Sequence, residues 1–286
     1  MSIAIAEKAN TDYTPRYTKF ADQFFPPESD PYLYGWRIIQ RVKADGSVSP
    51  EYMPLTLEDI LHPQEEDFRV HTTDHTDFCT YIETIFINQL KDDPLFRVFQ
   101  DVRIKWDHPW IRPHGPDVIV VHGVEGTKNW STFDISAENA KPLLIVEVVS
   151  PSTRLVDVET KVGEYALVGV PYYIIIDRLT AKDADTYILR AYELQNGRYQ
   201  LIEHDQNSRV WLPPVNCSIG IEDNRVACYS KHGERLLGAK ELDSALKSVQ
   251  SDLEQEKARA EQEATRANAA EAEIERLKAL LAQRNA

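Results

Sequence analysis

Apolar and polar residues change their spacing several times along this chain, and each change marks an element. Residues 1–30, which include "FFPPESDP", show little periodicity and read as an extended arm. "YLYGWRIIQRV" and "SPEYMPLT" flank "KADGS", a pattern that predicts a peripheral hairpin turning at Asp45-Gly46. "LTLEDILHPQEEDF" predicts one short helix followed by a loop. In "TTDHTDFCTYIETIFINQL", Phe78, Ile82 and Ile85 recur at helical spacing, with Thr73 or Asp74 as the cap and an end near Pro94. Three strands are expected next, at Leu95 to Lys105, Val118 to Val121 and Leu143 to Val149. A helix from Val156 to Val168 follows, its inner stripe formed by Val158, Val162, Tyr165 and Gly169, and Gly169 and Pro171 stop it. "YYIIID" reads as a buried strand ending at Asp177, and Asn196-Gly197 as a tight hairpin turn between "TYILRAYEL" and "YQLIEH". Short strands around Trp211, Ile219 and Val226 close the globular part near Gly238. This order predicts an α/β (α+β) domain over residues 31–238.

Residues 239–286 follow another rule. From Leu242 through Leu246, Val249 and Leu253 to Ile274, Leu277 and Leu281, one residue recurs at alternating steps of four and three. That is a coiled-coil seam, and it predicts a homo-oligomer joined through residues 242–281. Glu256 and Glu263 fall in the seam among alanines, so its middle is weak; a solvated single helix is the alternative.

Composition narrows the class. The chain has 286 residues, 42% of them hydrophobic, enough for a sizeable core. No run is long enough to span a membrane, and the opening "MSIAIAEKAN" lacks the regions of a signal peptide. Cys79, Cys217 and Cys228 are unpatterned and read as reduced thiols, so a cytoplasmic protein is expected. A formal charge of −14 argues against a protein that coats nucleic acid electrostatically. It leaves room for phosphate held at one site by a metal ion and a few local cations.

One letter is out of place. "LLIVEVV", residues 143 to 149, has the apolar run of a strand covered on both faces, yet Glu147 stands inside it. A buried glutamate needs a partner, or it protonates. Asp117 in "PHGPDVIVV" opens the preceding strand, and two carboxylates on adjacent strands can share a hard divalent cation such as magnesium, with the Val148 carbonyl as a further oxygen. Phosphodiester hydrolysis also needs a positive group, and Lys161, at the edge of the following helix's inner stripe, is the candidate. Each residue has a structural alternative: Asp117 as a turn former, Glu147 beyond the covered sheet, Lys161 in a surface pair with Asp157 or Glu164.

"GPDVIVV" and "LIVEVVSPSTRLVDVETKVGEYALVGVPYYIIID", with "PLTLEDILHPQEED" and "YGWR", resemble the Uma-type putative restriction endonuclease family of the PD-(D/E)XK nuclease superfamily, a family expanded in cyanobacteria. The resemblance covers about residues 31 to 238. It implies a restriction-endonuclease-like core, a mixed central sheet flanked by helices, and a magnesium- or manganese-dependent endonuclease acting on DNA. Asp117 and Glu147 match the superfamily's acids. Its lysine, two residues after the second acid, is replaced by Val149, and Lys161 on the next helix matches the position that takes over in this family. A non-catalytic scaffold on a nuclease fold and a hydrolase of a small phosphorylated molecule are the rival functions.

Other residues rank lower. His75 reads as a core histidine, Glu83 as surface charge or an added metal ligand, Tyr165 as packing and Asp177 as a strand end. His108, His114 and His122 lack zinc-site spacing. Lys128, Lys141, Arg154 and Arg178 are expected in connections where they could meet phosphate.

Overall fold

The computed structural model describes residues 30–149, 153, 154, 156–181 and 184–284. The arm predicted over residues 1–30 therefore lies outside the described residues except for Asp30, as does most of "SPST". The chain divides into two compact units, one through Leu236 and one from Leu237.

The first unit opens with β1 (Gly35–Val42) and β2 (Val48–Pro54), the antiparallel hairpin foreseen around Asp45-Gly46. Helix α1 (Leu57–Leu61) starts at a capping box in which the Thr56 and Asp59 side chains each accept the other's backbone N–H. The segment expected as loop after it contains a short strand, β3 (Asp67–Arg69), which pairs with β1. Helix α2 (Thr73–Leu90) begins one residue earlier than a cap at Thr73 would require. Thr72 is the cap, its hydroxyl accepting from the His75 N–H.

The single strand expected from Leu95 to Lys105 is two. β4 (Arg97–Gln100) and β5 (Arg103–Lys105) enter different sheets. Asp101 between them has φ 56°, a left-handed turn that aspartate tolerates better than most residues. β6 (Val118–Val121), β7 (Thr132–Asp134), the short α3 (Ile135–Glu138) and β8 (Pro142–Val149) follow. Next come one π-helical turn (Val156–Thr160) and α4 (Lys161–Val168). Gly169 ends α4 in the left-handed conformation. β9 (Tyr172–Ala181), β10 (Ala184–Gln195) and β11 (Arg198–Leu201) complete the main sheet. Asn196 and Gly197, both at positive φ, form the predicted turn. β9 does not stop at Asp177 but runs on to Ala181.

The main sheet has six strands in the order β11-β10-β9-β8-β6-β4, mixed because β8 and β9 are parallel and the other neighbours antiparallel. Alternation along the central strands divides the core. Val118, Val120, Leu144 and Val146 face α2 through Phe78, Ile82 and Phe86. Ile119, Val121, Ile145 and Val149 face the opposite layer with Phe133, Tyr165 and Tyr173. β12 (Arg209–Leu212), β13 (Cys217–Glu222), β14 (Arg225–Tyr229) and β15 (Arg235–Leu236) form a small sheet whose Val210, Leu212 and Ile219 join the α2 side. Cys79, Cys217 and Cys228 are free and buried. The second unit is one helix, α5 (Ala239–Arg284). Among the described residues no helix is long and apolar enough to cross a membrane.

Candidate active site

β8 carries Glu147 on the face of Ile145 and Val149, because side chains alternate along a strand. Val118 of β6 pairs with Val146, so Asp117 stands opposite Glu147 one step further along the same register. Asp117 and Glu147 are 5% and 2% exposed. Both line a cavity of about 350 Å³. Asp117 Oδ2 accepts the Val148 N–H at 2.7 Å and meets His75 Nε2 at 3.2 Å. His75 comes from the first turn of α2, and its ring stacks on His71 at 4.2 Å. The Cys79 sulfur lies one turn on, 3.8 Å from His75 Nδ1. Val148 thus contributes its N–H to Asp117.

Glu147 is held from the other side. Lys161 Nζ lies 2.9 Å from Glu147 Oε1 and 2.7 Å from Asp157 Oδ1. The Tyr165 hydroxyl donates to the same Glu147 Oε1 at 2.9 Å. The Tyr173 hydroxyl fixes the Asp157 carbonyl at 2.9 Å. Val156, Asp157, Lys161 and Tyr165 are the buried residues of this segment, while Val158 and Val162 are only half-buried. The inward face therefore differs from the stripe expected of a regular helix starting at Val156. Asp157 in the π turn and Lys161 and Tyr165 in α4 follow at steps of four along one face, and Lys161 is 3% exposed. A lysine tolerates that burial because the Asp157 and Glu147 oxygens both accept from its ammonium.

The electrostatics follow from this packing. Burial favours the neutral form of Glu147, the Asp117 and Asp157 charges add to that, and Lys161 only partly opposes them, so its carboxyl is pushed up to about 8. Burial works against Lys161 too, but Asp157, Glu147 and Asp117 outweigh it and raise the ammonium above its ordinary value. Burial would raise Asp117, yet His75, Lys161 and Arg69 hold it well below the usual carboxylate range. His75 is raised, the Asp117 charge overcoming its desolvation. The cluster thus has one firmly ionised acid, one charged lysine and one acid, Glu147, that takes a proton readily.

The remaining sequence candidates scatter. Arg178 lines the cavity, but from strand β9 and not from a connection. Arg154 faces Asp177, both of whose oxygens accept from Nε at 3.1 Å, and Arg190 adds a 2.6 Å contact. Asp177 is therefore a fully buried ion-pair centre within a strand, not a strand end. Lys128 is tied to Glu138 at 2.9 Å, and Lys141 is exposed. Glu83 is half-buried on α2 and is not among the residues lining the cavity.

Two sets of described residues bring three metal-type donors within 4.8 Å: His75, Cys79 and Asp117, and His62, His114 and Glu164. The second set is a poor ligand set. The Trp106 indole N–H donates to His114 Nδ1 at 2.7 Å, so the neutral ring carries its proton on Nε2 and donates it to Glu164 at 2.6 Å. Desolvation keeps that ring neutral, its pKa lowered to about 4. A cation on Nε2 would require Nδ1 to carry the proton and break the indole bond. The first set shares Asp117 with the cavity, and spacing rules for zinc and cysteine motifs do not find it because its members come from a helix and from the bend before β6. The contacts of His75 with Asp117 and of Tyr165 with Glu147 could not be read from sequence for the same reason. Steps of four in "DVETKVGEY" carry a signal, but the apolar stripe through Val158 and Val162 outweighs it.

Comparison with known proteins adds a family. The Uma2 family model, described as a putative restriction endonuclease, matches residues 66–222, more than half of the chain. No curated protein matches. A solved structure described as a putative nuclease belonging to DUF820, from Anabaena variabilis, is similar at 14% identity and a TM-score of 0.36. The match covers 61% of this chain and 81% of that one, a likeness too weak to argue from.

Proposed function

Since the chain belongs to the Uma2 family of putative restriction endonucleases, we propose that it is a metal-dependent endonuclease that hydrolyses DNA phosphodiester bonds in the cavity between Asp117 and Lys161. The observation that carries this reading is the meeting of Asp117, Glu147 and Lys161 in one buried cluster, where ordinary packing would not place charge.

The residues fit a divalent cation. The contacts made by His75 and Val148 fall on Asp117 Oδ2, and those of Tyr165 and Lys161 on Glu147 Oε1, so neither set engages the second oxygen of its carboxylate. Asp117, Glu147 and the Val148 carbonyl would hold magnesium or manganese. When bound, such an ion polarises a phosphate oxygen and acidifies water. Lys161 would keep its charge and stabilise the negative charge that develops on phosphorus. Tyr165 keeps Glu147 oriented, and His75 balances Asp117. Arg69 and Arg178, both on the cavity wall, would meet the flanking phosphates. The same reading gives residues 242–281 the task of joining copies of the chain.

The test is cleavage of plasmid, single-stranded DNA and RNA with magnesium or manganese, beside an Asp117→Ala control. Nicking or linearisation that the control lacks supports the proposal; equal cleavage by both, or none with either ion, overturns it. A cavity of about 350 Å³ and the charge of −14 favour a second reading, hydrolysis of a small phosphorylated molecule. Phosphate release from a nucleotide without polymer cleavage would select it.

A further inference from the structure

Helix α5 is 46 residues long, and its described side chains from Leu242 on are exposed. Leu242, Leu246, Val249, Leu253, Ile274, Leu277 and Leu281 leave 44–65% of their surface in solvent along one stripe. A lone helix gains nothing from such a stripe, so its natural cover is another helix with the same spacing. In heptads, Leu246 and every seventh residue to Leu281 take position a. Leu242 and every seventh residue to Leu277 take position d.

The flanking e and g positions separate the two possible orientations. In a parallel pair each g residue faces the e residue five places on in its partner. Asp252 then meets Lys257, Arg266 meets Glu271, and Glu273 meets Lys278, all opposite in sign, and no like-signed pair occurs. An antiparallel pair over the same length sets g against g and e against e. Arg259 then meets Arg266 and Asp252 meets Glu273, while only Asp243 and Lys278 attract. The antiparallel pair does place Glu256 and Glu263 against alanines, whereas the parallel pair sets each against its own copy. Those two contacts are fewer than the flanking pairs, each of which occurs twice by symmetry.

We propose that the occupant of the α5 stripe is the α5 stripe of a second copy, the two helices parallel and in register. This rests on the self-association reading above and not on the nuclease activity. Both tails then start at the same end, so chain connectivity delivers two nuclease units to one end of the coil. One unit cuts one strand per visit; two held together raise the effective concentration for the second strand.

Light scattering on the full chain should give twice the chain mass. Leu242→Cys and Leu277→Cys, each alone, should form a covalent dimer on mild oxidation, since both are d positions that meet their own copy. Cys79, Cys217 and Cys228 are buried, so the new thiol is the one reported. Lys257→Glu should weaken the dimer about tenfold, and Asp252→Lys in the same chain should restore it. A dimer in which neither single variant crosslinks, while a mixture of Leu242→Cys and Leu281→Cys does, overturns the parallel orientation and leaves self-association standing. A monomer mass overturns both, and a trimer mass overturns the two-stranded pair.

Discussion

Among its described residues the globular unit buries six polar or charged side chains, Asp117, Glu147, Asp157 and Lys161 included, while α5 holds leucines in water. Both arrangements are unfavourable by burial alone, and they are resolved differently. In the globular unit Lys161 lies within 3 Å of two carboxylates, and Asp117 has a histidine and a backbone N–H, so every member finds its partner inside the chain. In α5 the stripe has no such partner among the described residues of its own helix. A misplaced charge that is satisfied internally points to chemistry; a misplaced apolar stripe that is not points to assembly.

Substitutions at the two places should therefore behave oppositely, and the largest difference is expected at Glu147. Glu147→Gln keeps the shape and can still accept from Tyr165, but removes the charge a cation needs. Cleavage should fall at least about a thousandfold with the fold intact, and calorimetry should show divalent-ion binding lost. Unchanged ion binding would mean that Glu147 is a structural charge.

Lys161→Ala should depress turnover by roughly a hundred- to thousandfold while leaving ion binding in place. It also strands two buried carboxylates, and breaking a buried pair from one side costs about 3–5 kcal/mol, readable as a lower urea midpoint. Wild-type cleavage by this variant would return Lys161 to a purely structural role. Glu256→Leu in α5 should do the reverse, tightening association by placing an apolar residue in the seam.

A smaller effect is expected from pH. The Glu147 carboxyl, raised to about 8 by burial, favours its protonated form in the folded chain. Its contribution to stability is present below the ordinary glutamate range and is lost as pH rises through about 8. Ion binding needs the ionised form, so it should strengthen over the same window and release close to one proton at pH 7. Titration calorimetry in buffers of different ionisation enthalpy measures that release, and none would argue that Glu147 is already ionised. His114 works in the opposite sense. Lowered to about 4 by desolvation, it supports the fold above the ordinary histidine range and loses that support as pH falls toward 4.

The smallest effect concerns the boundary between the units. Truncation after Gly238 should leave the melting temperature of the globular unit within about 2 °C of the full chain, because the division falls at Leu236. Scanning calorimetry checks this, and a large fall would mean that the two units share a core.

Much of this contrast was visible in the order of the residues. Strands β6 and β8, helix α2, the Asn196-Gly197 turn and the stripe of α5 follow from spacing, because period and turn chemistry are local. Glu147 stood out because a carboxylate interrupts an apolar run. Lys161 was reached from its place at the edge of the inner stripe and then matched by resemblance, but the buried face runs through Lys161 itself and not through Val158 and Val162. Spacing cannot reveal a π turn, which depends on what the turn packs against. The same limit hid the split of β4 from β5 at Asp101 and the continuation of β9 past Asp177.

The sequence by itself determined which segments alternate, which recur at helical spacing and which positions carry unexpected charge, since those are properties of neighbours along the chain. Only the tertiary structure decided which charges meet. Asp117 lies beside His75 because α2 crosses the end of β6. Lys161 reaches Glu147 because the face that carries Asp157, Lys161 and Tyr165 packs against β8. Partners so far apart in sequence are joined by packing of the whole core, and no local period encodes that.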